Sequence, residues 1–217
     1  METRNWPLYR LILRTPRLEL RLPHLDELDG LAELSKDGVH DPATMPFAVP
    51  WTDRPPMERA RGVMQHHWNQ LASWAADRWS LPLAVFHDGA VIGSQSVTGK
   101  EFAAVRQVST GSWLGLRYQG HGFGTEMRAA VLELAFAGLG AQVAVTAAMT
   151  DNPASLGVSR KLGYRDNGVL RSAVRAGWGY EQQLALELED WRAHRSVPVQ
   201  IEGLEDCIDQ FGLAAQT

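Results

Sequence analysis

The segment GSWLGLRYQGHGFGTEMRAAVLELAF, residues 111–136, passes from a strand through a glycine-rich bend into a helix. The strand runs from about Gln107 to Leu116. It sets Val108, Thr110, Ser112, Leu114 and Leu116 on one face, with Trp113 opposing them between Gly111 and Gly115. Glycines inside a strand mark bulges or the close approach of another molecule. From Thr125 to about Ala137, Met127, Ala130, Val131, Leu134 and Ala135 recur at helical spacing. Between strand and helix, Gln119-Gly120-His121-Gly122-Phe123-Gly124-Thr125 places glycines at alternate positions. Such a backbone can turn sharply and bring its N–H groups against a bulky ligand, and the helix that follows aims its positive dipole end at the same place. The ligand expected there is a pyrophosphate. A Walker loop would end in Gly-Lys-Ser/Thr, and a dinucleotide fingerprint would need a third glycine where Thr125 stands, so nucleotide hydrolysis and hydride transfer lose ground.

Outward from this segment, Leu81–His87 and Ala90–Thr98 flank Asp88-Gly89, a dipeptide suited to the positive φ of a tight hairpin turn. Upstream, Leu18–Leu22 alternates like a half-buried strand, and Leu25, Leu28, Leu31 and Ala32 begin a first helix. Residues 38–56 hold five prolines without a sustained period, an irregular connection and candidate substrate lip. Val63, Met64, His67, Trp68, Leu71, Trp74 and Ala75 mark one face of a second helix, on which His67 reads as a buried, hydrogen-bonded core histidine. Downstream come a strand over Gln142–Met149 and a short helix over Pro153–Leu162, capped by Asn152 and ended by Gly163. A last strand over Tyr180–Glu189 sets Leu184, Leu186 and Leu188 on one face. This order predicts a mixed α+β sheet with helices on both faces.

The 217 residues carry 21 basic and 25 acidic side chains, a net charge of −4, with 45% hydrophobic and 21% charged residues. That composition suits one globular domain with a sizeable core and disfavours disorder. No block of basic residues appears, so nucleic acid is not the expected partner. The single Cys207 excludes an intramolecular disulfide and a cysteine metal cluster, which points to a reducing, cytoplasmic setting. No apolar stretch is long enough to span a bilayer and no export signal opens the chain, so no membrane partner is expected. The seven histidines are dispersed, and adjacent His66 and His67 would point about 100° apart on a helix, so no metal site is expected.

The loop satisfies Gln/Arg-x-x-Gly-x-Gly/Ala through Gln119, Gly122 and Gly124, the acyl-CoA pyrophosphate loop of the GCN5-related N-acetyltransferases, the GNAT superfamily. The surrounding segment resembles the RimJ/RimL-type branch of ribosomal-protein N-terminal acetyltransferases, in which a Gly-x-Trp-Leu strand precedes Gly-x-Gly-Tyr-Ala-Thr-Glu. Here Phe123 and Gly124 replace the Tyr and Ala. LRTPRLELR looks like that branch's opening strand, LAVFHDGAVIGSQSV like its central hairpin, DNPASLGVSRKLGY like its Asn-x-x-Ser helix, and LEDW near residue 191 like its closing strand. The resemblance covers about residues 11–191. GVHDP, PFAVPWT and the WLGLRYQGHGFGTEMRAAVL segment are also similar to an actinobacterial group that includes succinyl-CoA-dependent transferases.

The resemblance implies a mostly antiparallel sheet of about seven strands that splays in the middle, in one domain over residues 1–192. Residues 193–217 would form a tail able to add an edge strand or an oligomer contact. It implies acetyl-CoA or succinyl-CoA as co-substrate, an amine acceptor, direct attack without an acyl-enzyme, and a homo-oligomer. The pantetheine arm would pair around Leu114, Gly115 and Leu116, with an oxyanion-stabilising N–H near Leu114. The pyrophosphate would meet the backbone N–H groups of Gln119, Gly120, His121, Gly122, Phe123, Gly124 and Thr125. Ser155 and Ser159 are the candidates for protonating the departing thiolate, with Ser155 favoured. Asn152 would contact the pantetheine or active site, and Arg160 and Lys161 the adenosine 3′-phosphate. Trp51, Trp113 and His40 are candidate walls of the acceptor pocket. For a general base, Glu126, Asp151, Asp41, His40 and an ordered water chain stay open. A catalytically silent acyl-CoA-binding regulatory module is the alternative reading.

Overall fold

A computed structural model describes residues 4–214. Its strands are β1 (Ile12–Arg14), β2 (Glu19–Arg21), β3 (Arg78–His87), β4 (Ala90–Lys100), β5 (Gln107–Leu114), β6 (Val143–Met149), β7 (Arg165–Val174), β8 (Gly177–Glu187) and β9 (Gln200–Glu202). Its α-helices are α1 (Leu25–Lys36), α2 (Pro56–Ala72), α3 (Phe102–Val105), α4 (Phe123–Glu133), α5 (Pro153–Lys161) and α6 (Leu188–His194). The strands form one sheet in the order β7-β8-β6-β5-β4-β3-β2-β1-β9. Every neighbouring pair is antiparallel except β5 and β6. This is the mixed α+β sheet the sequence predicts, with nine strands where about seven were expected.

The β3–β4 hairpin turns at Asp88 and Gly89, both with positive φ. Adjacent strand residues point to opposite faces, and β5 ends by using both. Trp113 joins the cluster that packs α1 (Leu28, Leu31, Leu34) against Val63 and Met64 of α2. Leu114 joins the main core with Met127, Ala130 and Val131 of α4. Helices therefore cover both sides of the sheet. In α2, His67 is buried as expected, but its Nε2 has no hydrogen-bond partner, and burial pushes the imidazole pKa down to about 4.

Three elements depart from the sequence reading. LEDW does not form a closing strand: β8 stops at Glu187 and Leu188 starts α6, whose Trp191 stacks on Phe136 at 5.0 Å. β7 is added outside β8, with nearly all of its residues exposed. Leu116 lies beyond β5 in a short 3₁₀ turn and is half exposed instead of continuing the buried face. The tail pairs β9 with β1, and it buries Cys207 and Phe211 in the main core, Phe211 lying 4.9 Å from Trp79 edge to face.

β5 and β6 pair only over Gln107–Ser109 with Val143–Val145. Beyond those residues the Thr146 hydroxyl still donates to Thr110 O at 3.1 Å, and then the strands part. That divergence opens the sheet at its middle.

Candidate active site

A cavity of about 700 Å³ occupies the opening. Its walls are Thr110 to Leu114 of β5, Thr146 and Ala147 of β6, Asn152 to Ser155 at the start of α5, and Gly122, Gly124, Thr125 and Arg128 of the bend and α4. The 38–56 connection supplies a roof through His40, Asp41, Thr44 and Phe47.

The bend is built as its glycines predict. Gly120 and Gly122 sit at φ of +80° and +83°, the left-handed region that a side chain enters at a cost. Gly122 caps α4, its carbonyl accepting the N–H groups of Thr125 and Glu126. The N–H groups of Gly120, His121, Gly122, Phe123 and Gly124 have no acceptor among the described residues. Unpaired amides fanned out at a helix N-terminus form an anion site. A clamp on the outer side holds the bend. Arg17 donates to His121 O at 3.1 Å, lies 4.7 Å over the Phe123 ring, and is bound through Nε to Glu126 at 2.7 Å. Glu126 also accepts from the Thr15 hydroxyl and the Arg17 N–H. Buried under those donors and away from the cavity walls, Glu126 is an anchor and not the general base weighed from the sequence.

Several expected contacts are re-assigned. The Gln119 N–H is taken by Leu116 O and the Thr125 N–H by Gly122 O, while Gln119 Nε2 donates to Val39 O and Leu114 O, tying the bend to the roof and to the end of β5. The Gly115 and Leu116 amides already donate to Ile92 O and Gly38 O, and their carbonyls accept from Tyr118 and Gln119. Of Leu114, Gly115 and Leu116, only Leu114 borders the cavity. The His121 and Phe123 side chains stack on each other outside it, leaving their N–H groups as their contribution. Arg160 is exposed and pairs with Asp166 at 3.4 Å instead of facing the cleft, and Lys161 also lies outside the walls.

At α5, Asn152 Oδ1 accepts the Ser155 N–H at 3.1 Å, the cap expected from the sequence, and both residues line the cavity. Ser155 carries its hydroxyl at the positive end of a nine-residue helix. Ser159 is different. It is fully buried behind the wall, accepts from Arg128 at 2.8 Å and donates to Ser155 O, so it cannot protonate a group in the cleft.

On the opposite side, an aromatic chain runs His40, Phe47, Trp51, Trp113 with centroid separations of 5.7, 5.3 and 5.7 Å. His40, Phe47 and Trp113 face the cavity, while Trp51 backs them. Both His40 ring nitrogens are engaged, by Asp41 O and the Thr52 hydroxyl. Asp41, Asp151 and Glu181 add carboxylates to the walls. The sequence reading missed Arg128, Thr110, Thr146 and Glu181. Nothing local separates Arg128 from a solvent-facing cation beside an apolar stripe. Among the described residues no group of three or more His, Cys, Asp or Glu is placed to hold a metal, and no helix is long and apolar enough to cross a membrane.

Solved structures share this architecture. Mycobacterium smegmatis RimJ in complex with CoA-disulfide superposes with a TM-score of 0.71 at 18% identity, covering 94% of this chain and 95% of that one. RimL, a ribosomal L7/L12 alpha-N-protein acetyltransferase in complex with coenzyme A, gives 0.66 at 17%, covering 82% and 99%. A chimera of Vibrio cholerae spermidine N-acetyltransferase SpeG with hSSAT gives 0.63 at 16%, covering 81% and 98%. At such identities the likeness is one of fold. The sequence itself goes further: residues 17–165, more than half of the chain, match the model of the acetyltransferase (GNAT) domain, and the chain belongs to that family.

Proposed function

We propose that this chain is an N-acyltransferase that moves an acetyl or succinyl group from coenzyme A to a primary amine, by direct attack within a ternary complex. The observation that carries the reading is the continuity of the β5–β6 opening with the unpaired N–H groups of residues 120–124. A diphosphate fits the amides, and an extended arm fits between strands that have stopped pairing. The amine nitrogen forms the new C–N bond, the thioester C–S bond breaks, the thiolate takes a proton, and the amine gives one up. Ser155 suits the third task, since the residue lines the cavity at the N-terminus of α5, where negative charge is stabilised. The proton lost by the amine goes to a wall carboxylate or to water. Cys207 stays out of the chemistry: it is buried in the tail with its thiol pushed up to about 12 by burial.

Asp41, Asp151 and Glu181 on the walls favour acceptors that arrive as cations, which protein N-termini, lysines and small amines all do. A homo-oligomer in the cytoplasm belongs to the same reading. The β7–β8 ribbon leaves Val169, Leu170, Trp178 and Tyr180 half exposed at the sheet edge, apolar surface that a second copy would cover, and sedimentation of the purified chain tests this. For the activity itself, release of free thiol from acetyl-CoA and succinyl-CoA is followed across a panel of amines. Turnover with at least one amine is expected, and Ser155→Ala is expected to lower kcat while leaving CoA affinity intact. Absence of CoA binding in calorimetry refutes the reading, and tight binding without turnover on any amine replaces it with a silent regulatory module.

A further inference from the structure

Arg128 is among the most buried charges in the chain, and it lines the cavity. No carboxylate pairs with it among the described residues: Nη1 donates to Ser159 Oγ at 2.8 Å and Nη2 to Ser112 Oγ at 3.2 Å, while Nε has no partner. Arg195 and Arg17 differ, since each is about half exposed and meets a buried glutamate. Two hydroxyls leave a guanidinium with unspent donors and an uncompensated charge, an expensive arrangement in a dry interior. Beside it the Thr110 hydroxyl, also on the cavity wall, has the Tyr164 hydroxyl as its side-chain neighbour, and Tyr164 also lies near Arg128. Burial alone lowers the guanidinium's proton affinity, the direction expected of a cation that lacks a counter-charge.

Position along the cleft says what these donors meet. α4 runs back along β5 from its start, so Gly124 lies beside Leu114, with a built Cβ 3.9 Å from Leu114 Cδ1, and Arg128 lies beside Ser112. Thr110 comes next, where the Thr146 hydroxyl closes the gap. An arm held by its diphosphate at residues 120–124 and threaded inward passes Leu114 first and reaches Arg128 at the closed end. The group found there is the tip of whatever the arm carries. A methyl group offers Arg128 and Thr110 no acceptor, whereas a carboxylate offers two oxygens to a fork of N–H groups.

We propose that Arg128 is a carboxylate receptor at the closed end of the cleft, and that the site takes coenzyme A thioesters of short dicarboxylic acids, such as succinyl, in preference to acetyl. This deepens the acyltransferase reading and rests on it. The competing possibility is that Arg128 serves an amide carbonyl of the pantetheine arm, which every CoA thioester shares.

Calorimetric titration of the full chain with CoA, acetyl-CoA, malonyl-CoA and succinyl-CoA separates these, using wild type, Arg128→Met and Arg128→Lys. Wild type is expected to bind a dicarboxylic thioester about tenfold or more tighter than acetyl-CoA, the size of one charge-assisted contact. Arg128→Met should erase that preference and leave CoA affinity within about threefold, which also reports that the variant is folded. Arg128→Lys, which keeps the charge but loses the fork, should retain part of it and decides the matter if the Met variant does not fold. Equal affinity of wild type for acetyl and dicarboxylic thioesters overturns the proposal. So does a loss that is the same for CoA and all thioesters in either variant. Both results leave the acyltransferase reading standing, whereas failure of wild type to bind CoA at all takes both down.

Discussion

Two glycines two residues apart should respond to alanine with opposite signs. Gly122 holds φ at +83°, and a built Cβ lies 3.4 Å from Arg17 Nη2. An alanine there is strained by its own backbone, at about 1–2 kcal/mol, and it also presses on the clamp that positions the bend. Gly124 is inside α4, and a built Cβ meets Val158 Cγ2 at 3.7 Å and Leu114 Cδ1 at 3.9 Å, ordinary contact distances. Alanine is favoured over glycine in a helix by about 1 kcal/mol. For a chain of this size each kcal/mol moves Tm by about 2–4 °C. Gly122→Ala should therefore lower Tm by about 2–8 °C, and Gly124→Ala should raise it by up to about 4 °C. Relaxing the strain at residue 122 also rotates the peptide units that present the free amides, so CoA should bind about tenfold more weakly to Gly122→Ala. Differential scanning calorimetry and CoA titration read both effects. A Gly122→Ala protein with unchanged Tm and wild-type CoA affinity refutes the reasoning, because it removes the need for a left-handed residue at that turn.

Glu126→Gln replaces a carboxylate that accepts from Thr15, the Arg17 backbone and the Arg17 side chain, so urea unfolding should show a loss of about 2–3 kcal/mol. If Glu126 were instead the general base, the variant would lose the acidic limb of the pH–rate profile, where the base takes up its proton. Arg175→Ala removes a two-pronged pair with Asp53 and a contact to Pro42 O; both partners are over a third exposed, so global stability should change little. The roof should loosen, raising KM for the amine while CoA affinity holds, and an equal loss of both refutes that role. Burial holds His67 at about 4 when folded against an ordinary value of 6.5, so the unfolded chain binds the extra proton between those limits and stability falls as pH drops through them. About 2 kcal/mol should be lost between pH 7 and pH 5, and His67→Leu should flatten that slope in denaturant titrations at fixed pH.

What the sequence discloses is what short-range chemistry decides. Asp88-Gly89 fixes a hairpin because the turn's own φ angles demand it, and Asn152-Pro153 caps a helix within three residues. The 120–124 bend was readable for the same reason. β7 was not, because its residues stand exposed on both faces and no alternation marks a strand that buries neither side. LEDW turned helical because Trp191 finds Phe136 across the fold, a partner more than fifty residues away. The site divides along the same line. The glycines, Asn152 and Ser155 announce themselves by pattern, whereas Ser159 and Arg128 acquire their meaning only from each other, one on α5 and the other on α4. Gln119 matched a family pattern at the right place, yet its side chain serves the scaffold.

The two halves of the cavity are held with different firmness, and this bears on which half can change. The donor side rests on the sheet core, on Arg128 joining β5 to α5, and on Glu126 with three donors, so a displaced wall would leave buried polar groups unpaired. The acceptor side is roofed by a proline-rich connection fastened by Gln119 to Val39 O, by Arg175 to Asp53, and by aromatic contacts from His40 to Trp113. The Arg175–Asp53 tie lies at the surface, where an ion pair is worth little. Substitutions in residues 38–56 can therefore reshape the amine pocket at small cost to stability, while the thioester side tolerates few. An acyltransferase built this way keeps its donor and varies its acceptor. Measured across single substitutions on both sides, thioester affinity should track unfolding free energy on the donor side and be independent of it on the roof.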